Sequence, residues 1–313
     1  MRDLGQEKFS GIYSFLGLPA TTDISEDTDC VIYGMPMDIG TTNRAGTRFG
    51  PKTIRRYGSC KPYHEELGID IFDDFKAIDY GDMKMSEGYI IDDMTTVINT
   101  VEGILEKGVK TIGIGGDHTL AYPELVAMKH KYGKVALIHF DSHTDTWEWP
   151  AANDTTLINH ATPFRLAMER ECLAEGHIVQ VGMRGGLLSD KDHEYALTHG
   201  FRIITGNEVH DMGMDTCAEE IRKTVGDMPV FVTFDIDFLD PAYAPGTGTP
   251  VCGGFSTAEA LTLLRKSLPG LNIVGMDIVE VAPEYDPTEA TAYAAQAILR
   301  EFVSVLSYNK KNK

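Results

Sequence analysis

The feature that most constrains this chain is the alternation of short apolar, β-branched segments with longer segments of helical periodicity. The segments with strand character are residues 29–34, 77–80, 110–114, 135–140, 178–181, 201–204, 230–234 and 273–276. Several of them are apolar at every position. That pattern is typical of strands in a parallel sheet that helices cover on both faces.

Helical segments are predicted between these strands. The clearest places Ile90, Met94, Val97 and Val101 on one stripe and ends near Gly108. The others are predicted at about residues 120–130, 164–175, 192–199, 216–225, 257–267 and 288–306. This order predicts an α/β fold, a three-layer α/β/α sandwich around a central, mostly parallel β-sheet. We expect residues 1–313 to form a single domain.

The acidic composition of the chain limits the classes of molecule that it is expected to bind. Lys and Arg number 28 and Asp and Glu number 47, which gives a formal net charge of −19. A surface this acidic has no attraction for a phosphate backbone, so no nucleic acid is expected to bind. The same charge modestly favours cationic small molecules.

Localisation is predicted from apolar runs and cysteines. No apolar run approaches the roughly 18–20 residues of a membrane helix, and no apolar stretch follows Met1, so no membrane partner or secretory signal is expected. The cysteines number five, and no C-x-x-C pair indicates a zinc knuckle or a redox motif. We therefore expect a cytoplasmic protein with reduced cysteines.

Three predicted strands end in sequences rich in His and Asp. They are G-G-D-H at residues 115–118, D-S-H-T-D at 141–145 and D-I-D at 235–237. Side chains at the carboxyl ends of parallel strands gather at one edge of the sheet. In extended chain, residues two apart point to the same side, so the Asp and His side chains within each motif are expected to converge.

Such a set of side chains favours divalent metal. Four carboxylates at one place resist joint ionisation unless a cation neutralises them. Oxygen and imidazole ligands without thiolate favour Mn²⁺ over structural zinc, and six ligands suit two ions. The proposed ligands are His118, Asp141, His143, Asp145, Asp235 and Asp237. Asp117 and Asp240 are interpreted as turn or cap residues.

These motifs resemble the signatures of the ureohydrolase family, which contains arginase, agmatinase, formiminoglutamase and guanidino-acid hydrolases. Further similarity extends over nearly the whole chain, in G-M-P-M-D at residues 34–38, R-F-G-P at 48–51, P-G-T-G-T-P at 245–250 and D-I-V-E-V-A-P at 277–283. The resemblance implies two Mn²⁺ ions per chain, with Ni²⁺ or Co²⁺ as alternatives. It also implies that Asp141 and Asp237 bridge the ions.

The resemblance further implies the catalytic roles. Hydroxide would attack the guanidinium carbon, with Asp145 orienting it and relaying its proton to the leaving amine. Glu280 matches the acid that holds the guanidinium through charge-assisted hydrogen bonds. His160 matches a proton-shuttling histidine, although this chain has His-Ala-Thr where the family often has His-Gly-Thr.

The sequence near residue 147 bears on the substrate. Arginases have an Asn two residues after the D-x-H-x-D motif, and this chain has Trp147 there, followed by Trp149. An aromatic wall suits an alkyl chain or a cation better than an amino-acid head. Glu148 and Asp154 could host a second cation, whereas Arg165 could pair with a carboxylate. The resemblance therefore favours an agmatinase-like enzyme that converts agmatine to putrescine and urea.

Other interpretations stay open from sequence alone. A guanidino-acid hydrolase acting on 4-guanidinobutyrate or 3-guanidinopropionate is the principal alternative. A non-catalytic, metal-stabilised relative and a mononuclear zinc hydrolase are alternatives of other classes. By resemblance, we expect a homotrimer or homohexamer.

Overall fold

Eight parallel strands form the central sheet of the computed structural model, which describes residues 11–57, 60–148 and 157–312. In chain order the strands of the described residues are β1 (Cys30–Met35), β2 (Tyr63–His64), β3 (Ile69–Asp70), β4 (Ala77–Asp82), β5 (Lys110–Gly115), β6 (Val135–Phe140), β7 (Leu173–Met183), β8 (Phe201–Thr205), β9 (Val230–Asp235) and β10 (Ile273–Val279). The large sheet has the order β4-β1-β5-β10-β9-β6-β7-β8, and β2 pairs antiparallel with β3.

Helices cover both faces of this sheet, which confirms the predicted α/β fold. They are α1 (Gly50–Arg55), α2 (Ile90–Glu106), α3 (Ala121–Tyr132), α4 (Pro163–Glu169), α5 (Glu194–Thr198), α6 (Gly206–Val225), α7 (Thr257–Ser267) and α8 (Ala290–Lys311). Among the described residues, no helix combines the length and apolarity needed to cross a bilayer.

Alternate residues of each strand belong to two separate hydrophobic cores. In β1, Cys30 and Ile32 pack in the core beneath α6, α7 and α8, whereas Val31 and Tyr33 pack in the core beneath α2 and α3. Successive side chains of a strand point to opposite faces, so a strand covered on both sides has no polar face. This double burial explains why the strands were recognisable as continuous apolar runs.

Several predicted boundaries differ from the structure. The helix predicted at 164–175 ends at Glu169, because the chain turns at Glu171 with a φ of 55° and β7 begins at Leu173. The helix predicted at 216–225 begins at Gly206, where Thr205 and Glu208 form a capping box, and it is kinked at Gly213. The prediction also lacked the β2–β3 hairpin and α1.

The glycines of the G-G-D-H motif allow close approach of two backbone segments. A Cβ at Gly116 would lie 1.6 Å from the Met37 carbonyl oxygen and 2.6 Å from its carbonyl carbon. Only glycine fits there, because neither backbone can withdraw without moving the strand ends that carry the acidic motifs.

The substitution Gly116→Ala is therefore expected to lower the free energy of unfolding by about 3 kcal/mol or more. Gly103→Ala in α2 is the matched control. A Cβ there meets nothing within 4 Å, so alanine should raise helix stability by about 0.5–1 kcal/mol. Chemical denaturation of both variants measures the difference. Equal stability of the two variants would contradict the close approach.

Candidate metal centre

The candidate site lies at the carboxyl ends of four neighbouring strands, β5, β10, β9 and β6. The Gly-Gly-Asp-His motif follows β5, and the D-x-H-x-D motif follows β6. Asp235 is the last residue of β9 and Glu280 directly follows β10. Since the four strands are parallel and adjacent, their ends bring these side chains together at one edge of the sheet.

The first group of side chains surrounds the imidazole of His118. Its Nδ1 lies 3.1 Å from Asp141 Oδ2, 2.9 Å from Asp145 Oδ2 and 3.3 Å from Asp235 Oδ2. All four residues are buried. The other ring nitrogen, Nε2, lies 2.9 Å from Thr233 Oγ1, which leaves Nδ1 turned towards the three carboxylates.

The second group contains His143, whose Nδ1 lies 3.4 Å from Asp141 Oδ1 and 3.1 Å from Asp237 Oδ2. Asp141 thus contributes one oxygen to each group. Asp237 was expected to be shared in the same way, but its described contacts lie on the His143 side. Its Oδ1 accepts hydrogen bonds from the Ser142 amide at 3.1 Å and the Ser142 hydroxyl at 2.6 Å.

Tight turns, not extended chain, cause this convergence. Asp141 Oδ1 accepts a hydrogen bond from the His143 amide at 2.6 Å, and Asp235 Oδ1 accepts one from the Asp237 amide at 2.8 Å. Asp237 lies in a 3₁₀ turn, and Asp145 has a left-handed φ of 50°. The predicted meeting of the side chains is observed, but the predicted extended alternation is wrong.

The chemistry of these groups fits divalent cations. Burial and the neighbouring Asp237 and Asp141 carboxylates raise the pKa of Asp235 well above its usual range. Such crowding is costly without a cation and favourable with one. The ligating atoms of His118, Asp141 and Asp145, together with those of His139, lie within 4.8 Å of one another. Those of Asp141, His143 and Asp237 do so as well.

His139 is a member of the site that the sequence interpretation missed. It is completely buried on β6, and its Nε2 lies 2.6 Å from Asp141 Oδ2. Gln180 Nε2 lies 3.0 Å from its Nδ1 and donates to the Thr144 carbonyl at 2.6 Å. The available signal was polarity, because His139 and Gln180 are polar residues within buried, otherwise apolar runs of β6 and β7.

Glu280 has one occupied and one free carboxylate oxygen. Its Oε1 accepts a hydrogen bond from the His118 amide at 2.8 Å and lies 2.9 Å from His160 Nδ1. Its Oε2 is buried and has no hydrogen-bond partner among the described residues. Glu280 also has a left-handed φ of 65°, a strained conformation of the kind that clusters at functional sites.

The environment of His160 is acidic. Burial disfavours the charged ring, but the Glu280 carboxylate, with smaller contributions from Asp145 and Asp117, raises the pKa of His160 to about 9. Asp117 itself acts as the expected cap, because its side chain accepts a hydrogen bond from the Thr119 amide.

Trp147 lies at the border of the described residues. Its amide donates to the Ala161 carbonyl at 3.1 Å, and its indole Nε1 is buried without a partner among the described residues. Trp149 and Asp154, also expected to contribute to substrate binding, lie outside the described residues.

Arg165 is engaged by neighbouring side chains. Its Nε donates to Glu169 at 3.0 Å, its Nη2 lies 3.5 Å from Glu148, and its guanidinium stacks on Tyr195. Glu148 is therefore already paired with a cation, which weakens its expected role as host for a second one. The same contacts leave Arg165 without free charge for a substrate carboxylate.

Arg184 anchors the loop that carries Asp237, and sequence reasoning missed it. Its guanidinium donates to the carbonyls of Asp237 at 2.6 Å, Leu239 at 3.3 Å and Val251 at 2.9 Å. Asp240 closes the same loop, because its carboxylate accepts hydrogen bonds from the backbone amides of Ala242, Gly253 and Gly254. It is a turn residue, as expected.

Comparison with known proteins gives consistent similarities. The family model described as the arginase family matches residues 28–304. An agmatinase from Chromobacterium violaceum is 40% identical over 98% of this chain and 92% of its own length. A guanidinobutyrase from Pseudomonas aeruginosa is 36% identical over 96% and 93%. The structure of proclavaminate amidino hydrolase from Streptomyces clavuligerus superposes with a TM-score of 0.90 at 34% identity, covering 97% of this chain and all of that one.

The shared position of Asp141 generates a prediction about metal content. Asp141→Asn is expected to lower the bound metal from two ions per chain to one or none, because the neutral amide removes a charge that both groups need. Elemental analysis after dialysis measures the stoichiometry.

Asp240→Asn is the matched control for Asp141→Asn. It is a neighbouring acidic residue outside both groups, and the single Asn oxygen can still accept the hydrogen bonds from the Gly253 and Gly254 amides. Its metal content should equal that of the wild type. Two ions bound by the Asp141→Asn protein would contradict the assignment of Asp141 to both groups.

Proposed function

The chain belongs to the arginase family, and we propose that it hydrolyses agmatine to putrescine and urea at a binuclear metal centre. Several relatives of this length are agmatinases, and the relative with 40% identity is one of them.

The main support for a guanidino substrate is the Glu280 Oε2 atom, which is buried and has no hydrogen-bond partner among the described residues. A buried carboxylate oxygen without a donor is costly, and a guanidinium supplies planar N–H donors that match it. Because Oε1 is held by the His118 amide and faces His160, the carboxylate cannot rotate without losing those contacts. Oε2 therefore presents a fixed acceptor next to the metal ligands.

We assign two Mn²⁺ ions to the acidic edge of the sheet. The residues proposed to hold them are His118, Asp141, His143, Asp145, Asp235 and Asp237. When bound, such ions supply Lewis acidity and water that ionises near neutral pH. Ni²⁺ and Co²⁺ suit the same donors, and the oxygen-rich set supports manganese.

The protein side chains handle the protons in this proposal. Asp145, whose Oδ2 lies 2.9 Å from His118 Nδ1, is proposed to take a proton from the attacking water and to pass it to the leaving amine. His160 is proposed as the group that exchanges a second proton between the site and solvent. Trp147 is proposed as part of the wall that contacts the alkyl chain.

The charge of the protein supports a substrate with a cationic tail, such as agmatine. The net charge of −19 favours a second cation. Arg165, the base nearest Trp147 in the sequence interpretation, already pairs with Glu148 and Glu169. The charge of the Arg165 guanidinium is therefore already balanced by these two carboxylates, which weakens its attraction for a substrate carboxylate.

One observation favours a second candidate, a guanidino-acid hydrolase. Arg44 stacks on Tyr285 at 4.8 Å and makes no salt bridge with another described residue. A free guanidinium on the segment that contacts His160 could bind a substrate carboxylate. The guanidinobutyrase relative shows that a protein with 36% identity carries this activity.

The assembly and location of the protein belong to the same proposal. By analogy with the family, we propose a homotrimer or homohexamer of single-domain chains that acts in the cytoplasm. Analytical ultracentrifugation tests the assembly directly.

Urea release by the manganese-loaded protein tests the substrate. Agmatine, 4-guanidinobutyrate, 3-guanidinopropionate and arginine form the panel, and agmatine is expected to give the highest kcat/KM. Higher kcat/KM for a guanidino acid, with loss of that activity in Arg44→Met, would support the second candidate. No urea from any compound, with two ions bound, would contradict the proposed reaction.

The substitution Glu280→Gln tests the proposed contact between the Glu280 carboxylate and the substrate guanidinium. The amide keeps an oxygen for the His118 amide but loses the charge that pairs with the guanidinium, so kcat/KM should fall about 10- to 100-fold. Metal content should stay at the wild-type value, because Glu280 is not among the proposed ligands. Unchanged kcat/KM in this variant would refute the guanidinium contact.

A further inference from the structure

The segment of residues 38–46, which we call the strap, contacts the far side of His160. The Thr42 amide donates to His160 Nε2 at 3.0 Å, and the Thr42 hydroxyl lies 2.7 Å from the same nitrogen. The His160 amide in turn donates to the Gly40 carbonyl at 3.0 Å. The strap therefore holds both the backbone and the ring of His160.

The strap is itself tied down at several points. The Gly40 amide donates to Asp117 Oδ2 at 2.8 Å, and the Gly46 amide donates to Asp38 Oδ2 at 2.8 Å. Asn43 Nδ2 donates to the Gly248 carbonyl at 3.1 Å. These anchors fix the direction in which the Thr42 N–H points.

A backbone N–H can only donate, so the ring nitrogen that it faces must offer a lone pair. With Nε2 as acceptor, the ring proton of neutral His160 lies on Nδ1, which faces Glu280 Oε1 at 2.9 Å. We propose that Thr42 is a positioning residue that holds neutral His160 in the Nδ1–H tautomer, with the Nε2 lone pair accepting from the Thr42 N–H. This inference rests on the proposed function of His160.

The contact also opposes retention of that proton. Glu280, Asp145 and Asp117 all favour a charged His160, and a permanently charged ring could not accept a proton. A proton arriving on Nε2 meets the fixed Thr42 N–H, while the Thr42 hydroxyl can rotate from donor to acceptor. The strap thus keeps the ring able to exchange protons in acidic surroundings.

Neutron diffraction of the deuterium-exchanged holoenzyme near pH 10, above the His160 pKa of about 9, tests the tautomer of the neutral ring without using activity. Deuterium on Nδ1 and none on Nε2 of His160 is the expected result. Deuterium on Nε2 would overturn the inference. Because this readout needs no turnover, it stays decisive even if urea release shows the proposed function to be wrong.

Steady-state kinetics test whether the Thr42 hydroxyl assists proton exchange by His160. Thr42→Val removes the hydroxyl and should lower kcat about three- to tenfold with KM nearly unchanged, whereas Thr42→Ser should retain wild-type kcat. Thr95→Val, on the exposed face of α2, is the control substitution and should have no effect.

A double-variant cycle separates positioning from a structural role. In a His160→Asn background the further change Thr42→Val should cost nothing, because its target is gone. An equal loss in both backgrounds would show that Thr42 merely supports the strap. Wild-type kcat in the single Thr42→Val variant, which keeps the backbone N–H, would overturn the role given to the Thr42 hydroxyl in proton exchange.

Discussion

The structure depends on the burial of four carboxylates at one edge of a parallel sheet. Asp141, Asp145, Asp235 and Asp237 are each at most 6% exposed, and water cannot neutralise them there. Their mutual repulsion is relieved by positive charge among them, which suits this acidic edge to divalent cations. The order of the central strands serves this requirement, since β5, β10, β9 and β6 place their ends side by side.

Several of the proposed ligands are also contacted by a residue outside the proposed ligand set. Asp237 is held by Ser142, His118 faces Thr233 and Asp141 contacts His139. Arg184 fixes the backbone of the Asp237 loop through its carbonyls. Such contacts orient ligands before an ion arrives, which reduces the conformational entropy lost on binding. The buried polar residues of the inner strands are thus part of the site.

The sequence predicted the sheet and the clustering of the His and Asp side chains at its edge, for one physical reason. A strand covered on both faces must be apolar throughout, and a polar cluster immediately after it stands out. The prediction failed where the local backbone conformation determines the end of an element or the shape of a turn. The turn at Glu171 ended α4 early, and Asx turns at Asp141 and Asp235 replaced the expected extended chain. Thr42 was beyond sequence reasoning, because its partner His160 is 118 positions away.

The residues proposed for the reaction and those proposed for substrate choice lie in different parts of the fold. The groups proposed to act on the guanidinium, Glu280 and the metal ligands, follow strands of the rigid sheet. The groups proposed to meet the tail, Trp147 and Arg44, lie on irregular segments between elements. Loops accept substitution more readily than a packed sheet. One acidic edge is therefore compatible with agmatine or a guanidino acid, and the choice between the two is assigned in this proposal to the loop residues.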